Sequence, residues 1–169
     1  MKKVLAVVLA AAMVMSMTTA AFADDQVIDT NGSLVVSYGV DETFKVTIPA
    51  DIALSADNLQ GTGTVTATNV RLTDGTTMKV SVYSVNNYNL VNGESKIAYA
   101  LKSGDKTYTN DDNVVLSVAA GSIAVTDSAS TQLTFATSAE AVEAATLAGA
   151  HQDTLSFSIS FAREPGAEQ

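Results

Sequence analysis

His151 is the only histidine of the chain, and there is no cysteine. A zinc site of ordinary composition draws several ligands from those two residue types, so no metal centre of that kind is expected. A histidine also serves as general base to a serine, but no G-x-S-x-G elbow accompanies His151. It reads as a loop residue just ahead of the last strand. Asp105, Asn110, Asp111, Asp112 and Asn113 gather oxygen ligands of the sort calcium takes. Their spacing lacks the D-x-[DN]-x-[DN]-G pattern, and Asp and Asn favour turns for reasons of their own. The stretch therefore reads as an acidic, solvated hairpin. Paired carboxylates flanking a sugar make a glycosidase, yet adjacent aspartates in a turn do not establish such a pair. No catalytic residue, metal ligand or cofactor follows from these residues.

Tyr83, Asn86, Asn87, Tyr88 and Asn89 form a polar and aromatic cluster, Tyr-Ser-Val-Asn-Asn-Tyr-Asn. Tyrosines and amides at the rim of a sandwich suit a sugar or a protein partner, as they do in antibody paratopes. The other reading is local: Asn supplies turn conformations and Tyr plugs the end of a core. These five are the candidate ligand-binding residues. With no tryptophan, an aromatic platform for a glycan has only Tyr38, Tyr83, Tyr88, Tyr99, Tyr108 and the phenylalanines to draw on.

The elements around these residues alternate apolar and polar positions, the mark of half-buried strands. Leu155, Phe157, Ile159 and Phe161 alternate with Thr154, Ser156, Ser158 and Ser160 and are expected to face the core. Phe44, Val46 and Ile48 form a second row that ends at Pro49, which cannot continue a central ladder. Met78, Val80 and Val82 form a third, and Ile97, Tyr99 and Leu101 a fourth. Leu34, Val36, Tyr38 and Val40 make another inward row, as do Val114, Leu116 and Val118. Weaker strands are expected over 122–126 and 131–135.

Between residues 62 and 72 the phase changes, with Val65 and Ala67 odd-numbered but Val70 and Leu72 even. A β-bulge near Thr68 or Asn69 would absorb the extra residue. Asp74-Gly75, Asn92-Gly93, Gly104-Asp105 and Ala120-Gly121 supply the positive φ of tight hairpin turns. Residues 137–147 are the exception. Thr137 with Glu140 matches a capping box ahead of helix formers, and a short helix is expected near 138–147. Strands of this length and spacing make the chain an all-β antiparallel sandwich, without the helices that βαβ units require.

Lys2 and Lys3 precede an apolar run that closes at Ala21-Phe22-Ala23, followed by Asp24-Asp25. A basic start, an apolar core and an A-x-A site describe a secretory signal peptide cleaved after Ala23, in preference to a membrane anchor. Residues 24–169 then form one domain, expected outside the cytoplasm, secreted or at the cell surface, with no transmembrane anchor after cleavage. Losing Lys2 and Lys3 leaves seven basic groups against 18 acidic ones, a formal charge of −11. Such a surface repels phosphate backbones and anionic membranes, which excludes nucleic acid as a partner. Oxidising surroundings permit disulfides, but the absence of cysteine means the core alone must hold the domain. Residues 24–32 are a polar leader around one apolar pair, Val27-Ile28, expected either to fray or to pair with a strand edge of its own or a neighbouring subunit.

The closing stretch Ala148-Gly149-Ala150-His151-Gln152-Asp153-Thr154-Leu155-Ser156-Phe157-Ser158-Ile159 resembles a recurrent ending, Ala-Gly-x-Tyr-x-Asp-Thr-Leu-x-Phe-x-Val, of bacterial surface β-sandwiches. WxL-type cell-wall proteins and spore-coat-U-like or fimbrial subunits carry such endings. Here His151 replaces the usual Tyr, and the Trp-x-Leu motifs of the first group are absent. The resemblance spans some 12 residues and implies an immunoglobulin-like, surface-exposed, non-enzymatic sandwich. The expected role is a structural or adhesive domain that binds or self-assembles with other envelope or extracellular proteins. The alternative is a carbohydrate- or ligand-binding module of the envelope, with glycans as partners.

Overall fold

The computed structural model of the chain describes residues 38–163. The expected signal segment, the expected leader with Val27 and Ile28, Leu34 and Val36, and residues 164–169 lie outside the described residues. Among the described residues, β1 (Thr43–Thr47), β2 (Gln60–Arg71), β3 (Thr76–Ser84), β4 (Asn89–Asn92) and β5 (Ser95–Ser103) come first. They are followed by β6 (Lys106–Thr107), β7 (Val114–Ala119), β8 (Ser128–Thr137), α1 (Ala139–Glu143) and β9 (Leu155–Arg163). One antiparallel sheet has the order β1-β2-β8-β5-β4 with β6 paired to β5, and a second has the order β7-β3-β9. The protein is all-β.

Alternation places one face of each sheet against the other. Val65 and Ala67 of β2, Leu101 of β5, and Leu133 and Phe135 of β8 meet Met78, Val80 and Val82 of β3 and Leu116 and Val118 of β7 in one buried cluster. Burial of this many branched and aromatic side chains is the main force holding the sheets together. The bulge expected near Asn69 is present. Two steps along β1, Thr43 to Lys45, face three along β2, Arg71 to Thr68, and Asn69 takes the left-handed φ of 54° that absorbs the surplus.

Several expectations need correction. Residues 122–126 form a bend, not a strand: Ser122 Oγ donates to the Ala119 carbonyl and Asp127 N to that of Ala124, which closes consecutive turns. The helix is shorter than expected and is capped by Ser138, whose side chain accepts from Ala141 N, while Thr137 belongs to β8 and donates to the Ala98 carbonyl. Asp74-Gly75 is a turn, but it joins strands of different sheets, so it is an arch and not a hairpin. Asn92-Gly93 and Gly104-Asp105 do close hairpins, with Gly93 and Gly104 at positive φ. Tyr38 and Val40, expected to point inward on a strand, are exposed and lie outside any strand.

Residues 48–59 form a strap that sequence patterning did not reveal. Pro49 stops β1, and the chain then crosses the inner face of β2 with Ile52 packed on the core. The crossing works because Gly61 and Gly63 carry no side chain. A Cβ on Gly63 would lie 2.5 Å from Pro49 Cβ.

Candidate functional site

The Tyr83–Asn89 cluster sits where β3 leaves its sheet, and its parts diverge. Tyr83 points away from the core and is 52% exposed. Asn87 and Tyr88 take successive positive φ angles, 56° and 59°, which reverse the chain. Asn89 Nδ2 donates to the carbonyls of Asn86 and Asn87, and Asn110 Nδ2 donates to Asn87 Oδ1. Tyr88 is buried edge-on to Tyr99 with ring centroids 5.8 Å apart. The five residues are therefore neighbours, but they do not converge on a common space: three amides brace a turn, where Asn87 is exposed, Tyr88 fills the core end, and Tyr83 is the one aromatic presented outward.

The residue that organises this end is Asp153, which the reading of side-chain chemistry passed over. Its Oδ2 accepts from Ser84 Oγ at 2.6 Å and from Tyr99 Oη at 2.7 Å, and its Oδ1 accepts from Asn86 N at 3.1 Å and Thr154 N at 2.8 Å. Ser84, fully buried, accepts in turn from Tyr88 N at 2.6 Å. Asn110 completes the latch by accepting from Ser84 N and donating to Ser84 O. Burial, and after it the hydrogen bond to the Asp153 carboxylate, pushes the Tyr99 phenol far above its ordinary range; burial and the same negative charge raise Tyr88 as well. The arrangement stores no reactive group. It clamps the start of β9 to the end of β3 and to β5. The one sequence signal for it was Asp153-Thr154 immediately before the final alternating strand.

Ser95 and His151 have the outward form of a catalytic pair, with Oγ 2.8 Å from Nε2. The surroundings give them a different task. Ser95 is buried, and its Oγ accepts from Thr146 N and Leu147 N. His151 Nδ1 faces the Gly149 carbonyl at 3.0 Å, which can only accept, so Nδ1 carries the proton and Nε2 accepts from Ser95. With Ser95 buried and its Oγ also accepting from two backbone amides, the pair pins residues 146–151 to the head of β5. The stretch from Asp105 to Asn113 holds β6 and the loop after it, in which Lys106 Nζ bridges Asp112 Oδ1 at 2.8 Å and Asp112 N donates to Thr109 Oγ1. Among the described residues no group of three or more His, Cys, Asp or Glu is placed to hold a metal ion.

The feature with free capacity lies further along β9. β9 pairs with β3 through nine residues without a register break, from Thr76↔Arg163 to Ser84↔Leu155. Thr76 accepts from Ala120 N and Val82 donates to the Asn113 carbonyl, so the even-numbered residues of β3 direct their backbone groups toward β7. Their partners Phe157, Ile159 and Phe161 therefore direct theirs away from β3, to the side of β9 that no other strand pairs among the described residues. On the inner face, Ile159 is 38% exposed and Phe161 47%. Phe161 meets Phe44 of β1 with centroids 5.2 Å apart, but five-residue β1 is too short to cover the row. The expectation that all four apolar residues of β9 are core residues is corrected accordingly. They point to the core side, with Leu155 and Phe157 partly buried, and coverage fails beyond them.

No helix among the described residues is long and apolar enough to cross a membrane. No protein-family model matches the sequence, and no curated protein matches it. Among solved structures, the crystal structure of the P pilus rod subunit PapA is similar to this chain at 16% identity and a TM-score of 0.45, covering 69% of this chain and 99% of that one.

Proposed function

We propose that the protein is an extracellular or cell-surface structural subunit that works by assembling with other copies, without a catalytic step. The observation that carries this reading is the open edge of β9. Among the described residues no strand pairs with that side of β9, and Ile159 and Phe161 are exposed beside it. Edges of this kind are normally shortened, bulged, charged or covered, because they recruit another strand. Between Leu155 and Ala162 the strand has no charge, no proline and no bulge. The signal segment supports the placement outside the cytoplasm.

Light scattering on the mature chain from Asp24, at two concentrations, tests the reading. Its mass should rise with concentration, and Ile159→Lys, which sets a charge on the edge, should return it to the monomer. A monomer mass at every concentration ends the proposal.

A further inference from the structure

Resting on that assembly reading, we propose that the strand recruited by β9 is β9 of a second copy, antiparallel and related by a two-fold axis through Ile159. The strand is complementary to itself about that residue. With Ile159 opposite its own copy, Phe161 faces the partner's Phe157 and Phe157 faces the partner's Phe161. All of these residues send their backbone groups to the free edge, so each such pair exchanges two hydrogen bonds. The apolar row then runs unbroken across the junction, and each Phe161 gains cover on the flank where it is exposed. On the outer face only small residues meet, Ser158 against the partner's Ser160 and Ser156 against the partner's Ala162.

Charge and competing edges point the same way. The mature chain carries a formal −11, which keeps most surfaces of two copies apart, but residues 155–162 are uncharged. The other edges are poorer templates. β1 carries Lys45 and a register shift against β2; β7 meets β3 through a register shift; and β4 spans four residues with Val91 already bonded to Gln152. A single strand pair is a small interface, below the ~800 Å² per partner of a standard complex, so exchange between free and paired copies is rapid.

The native absence of cysteine makes cross-linking a direct test. Residues opposed in a hydrogen-bonded antiparallel pair have Cα atoms ~5.5 Å apart, inside the disulfide range of roughly 4.4–6.8 Å. In the full mature chain under mild oxidation, Ile159→Cys should form a covalent dimer at least ~10-fold faster than Phe161→Cys, whose two copies lie four residues out of register. Mixing Phe157→Cys with Phe161→Cys chains should give a linked heterodimer. Oligomers that form without an Ile159 cross-link, or Phe161→Cys linking to itself as fast, would overturn the β9–β9 pairing and leave assembly through another strand, the chain upstream of Tyr38 included. A chain that stays monomeric throughout removes the assembly reading and this inference together. Circular dichroism of each variant separates a lost contact from a lost fold.

Discussion

β3 and β9 carry the same alternation, lie side by side in unbroken register and turn their apolar residues to the same face, yet they meet different fates. Met78, Val80 and Val82 are fully buried, whereas their partners Phe161, Ile159 and Phe157 become progressively better covered only toward the Asp153 latch. The difference is position. β3 has a strand on each side and the larger sheet above it; among the described residues β9 has a strand on one side and short β1 across from its far end. Alternation reports which way a side chain points, and the neighbours decide whether water reaches it.

The sharpest way to break this comparison is to truncate register partners. Met78→Ala should cost about 2–5 kcal/mol, the usual range for a buried methionine, and Phe161→Ala about 1 kcal/mol or less. Urea unfolding at low protein concentration measures both; equal losses would mean that Phe161 is covered in solution. A second test concerns the anchored end of β9. Asp153→Ala leaves two hydroxyls and two amides without their acceptor and should cost about 2–3 kcal/mol. Amide exchange should show β9 opening first from its Leu155 end in that variant. If protection there is unchanged, the latch does not set the strand's stability.

A third test uses coverage by a strap in place of a strand. Gly63→Ala drives a methyl into Pro49 and should cost about 1–2 kcal/mol, with Ile52 losing its place on the core. The smallest effects are titrations. Folding raises the Tyr99 phenol, so its contribution is complete below the ordinary tyrosine range near ~10 and fades as pH rises beyond it. Tyrosinate absorbance should therefore appear late for Tyr99, together with unfolding. At the opposite limit, hydrogen bonds from Thr73 hold the Glu42 carboxyl below its ordinary range; Thr73 N lies 2.7 Å from Oε1. That contribution is present at neutral pH and fades as pH falls through the carboxylate range. Glu42→Gln should flatten the acid limb slightly, and an unaltered limb would show that this clip near β1 is energetically silent.

Strand identity was legible because a period of two survives in any single strand, and the bulge at Asn69 was legible because a phase change leaves its trace in one strand alone. The turns at Gly93 and Gly104 were legible because their chemistry is local. The bend over 122–126 misled because a short apolar and polar alternation costs nothing to write in a loop. At the candidate site, Asn and Tyr announced themselves by type, while the organising group, Asp153, looked like any loop aspartate until Ser84 and Tyr99 arrived from strands 69 and 54 residues away.

By itself, then, the amino-acid sequence determined an all-β chain, the inward face of its longer strands β2, β3, β5 and β9, and the hairpin turns at Gly93 and Gly104, since these depend on residue types a few positions apart. Only the tertiary structure decided that the Asp74-Gly75 turn crosses between sheets, that Gly61 and Gly63 admit a strap, that His151 holds a loop to Ser95, and that β9 stands last in its sheet among the described residues. Each of these depends on what lies across a gap between segments distant in the chain, and no local pattern records whether that gap is filled.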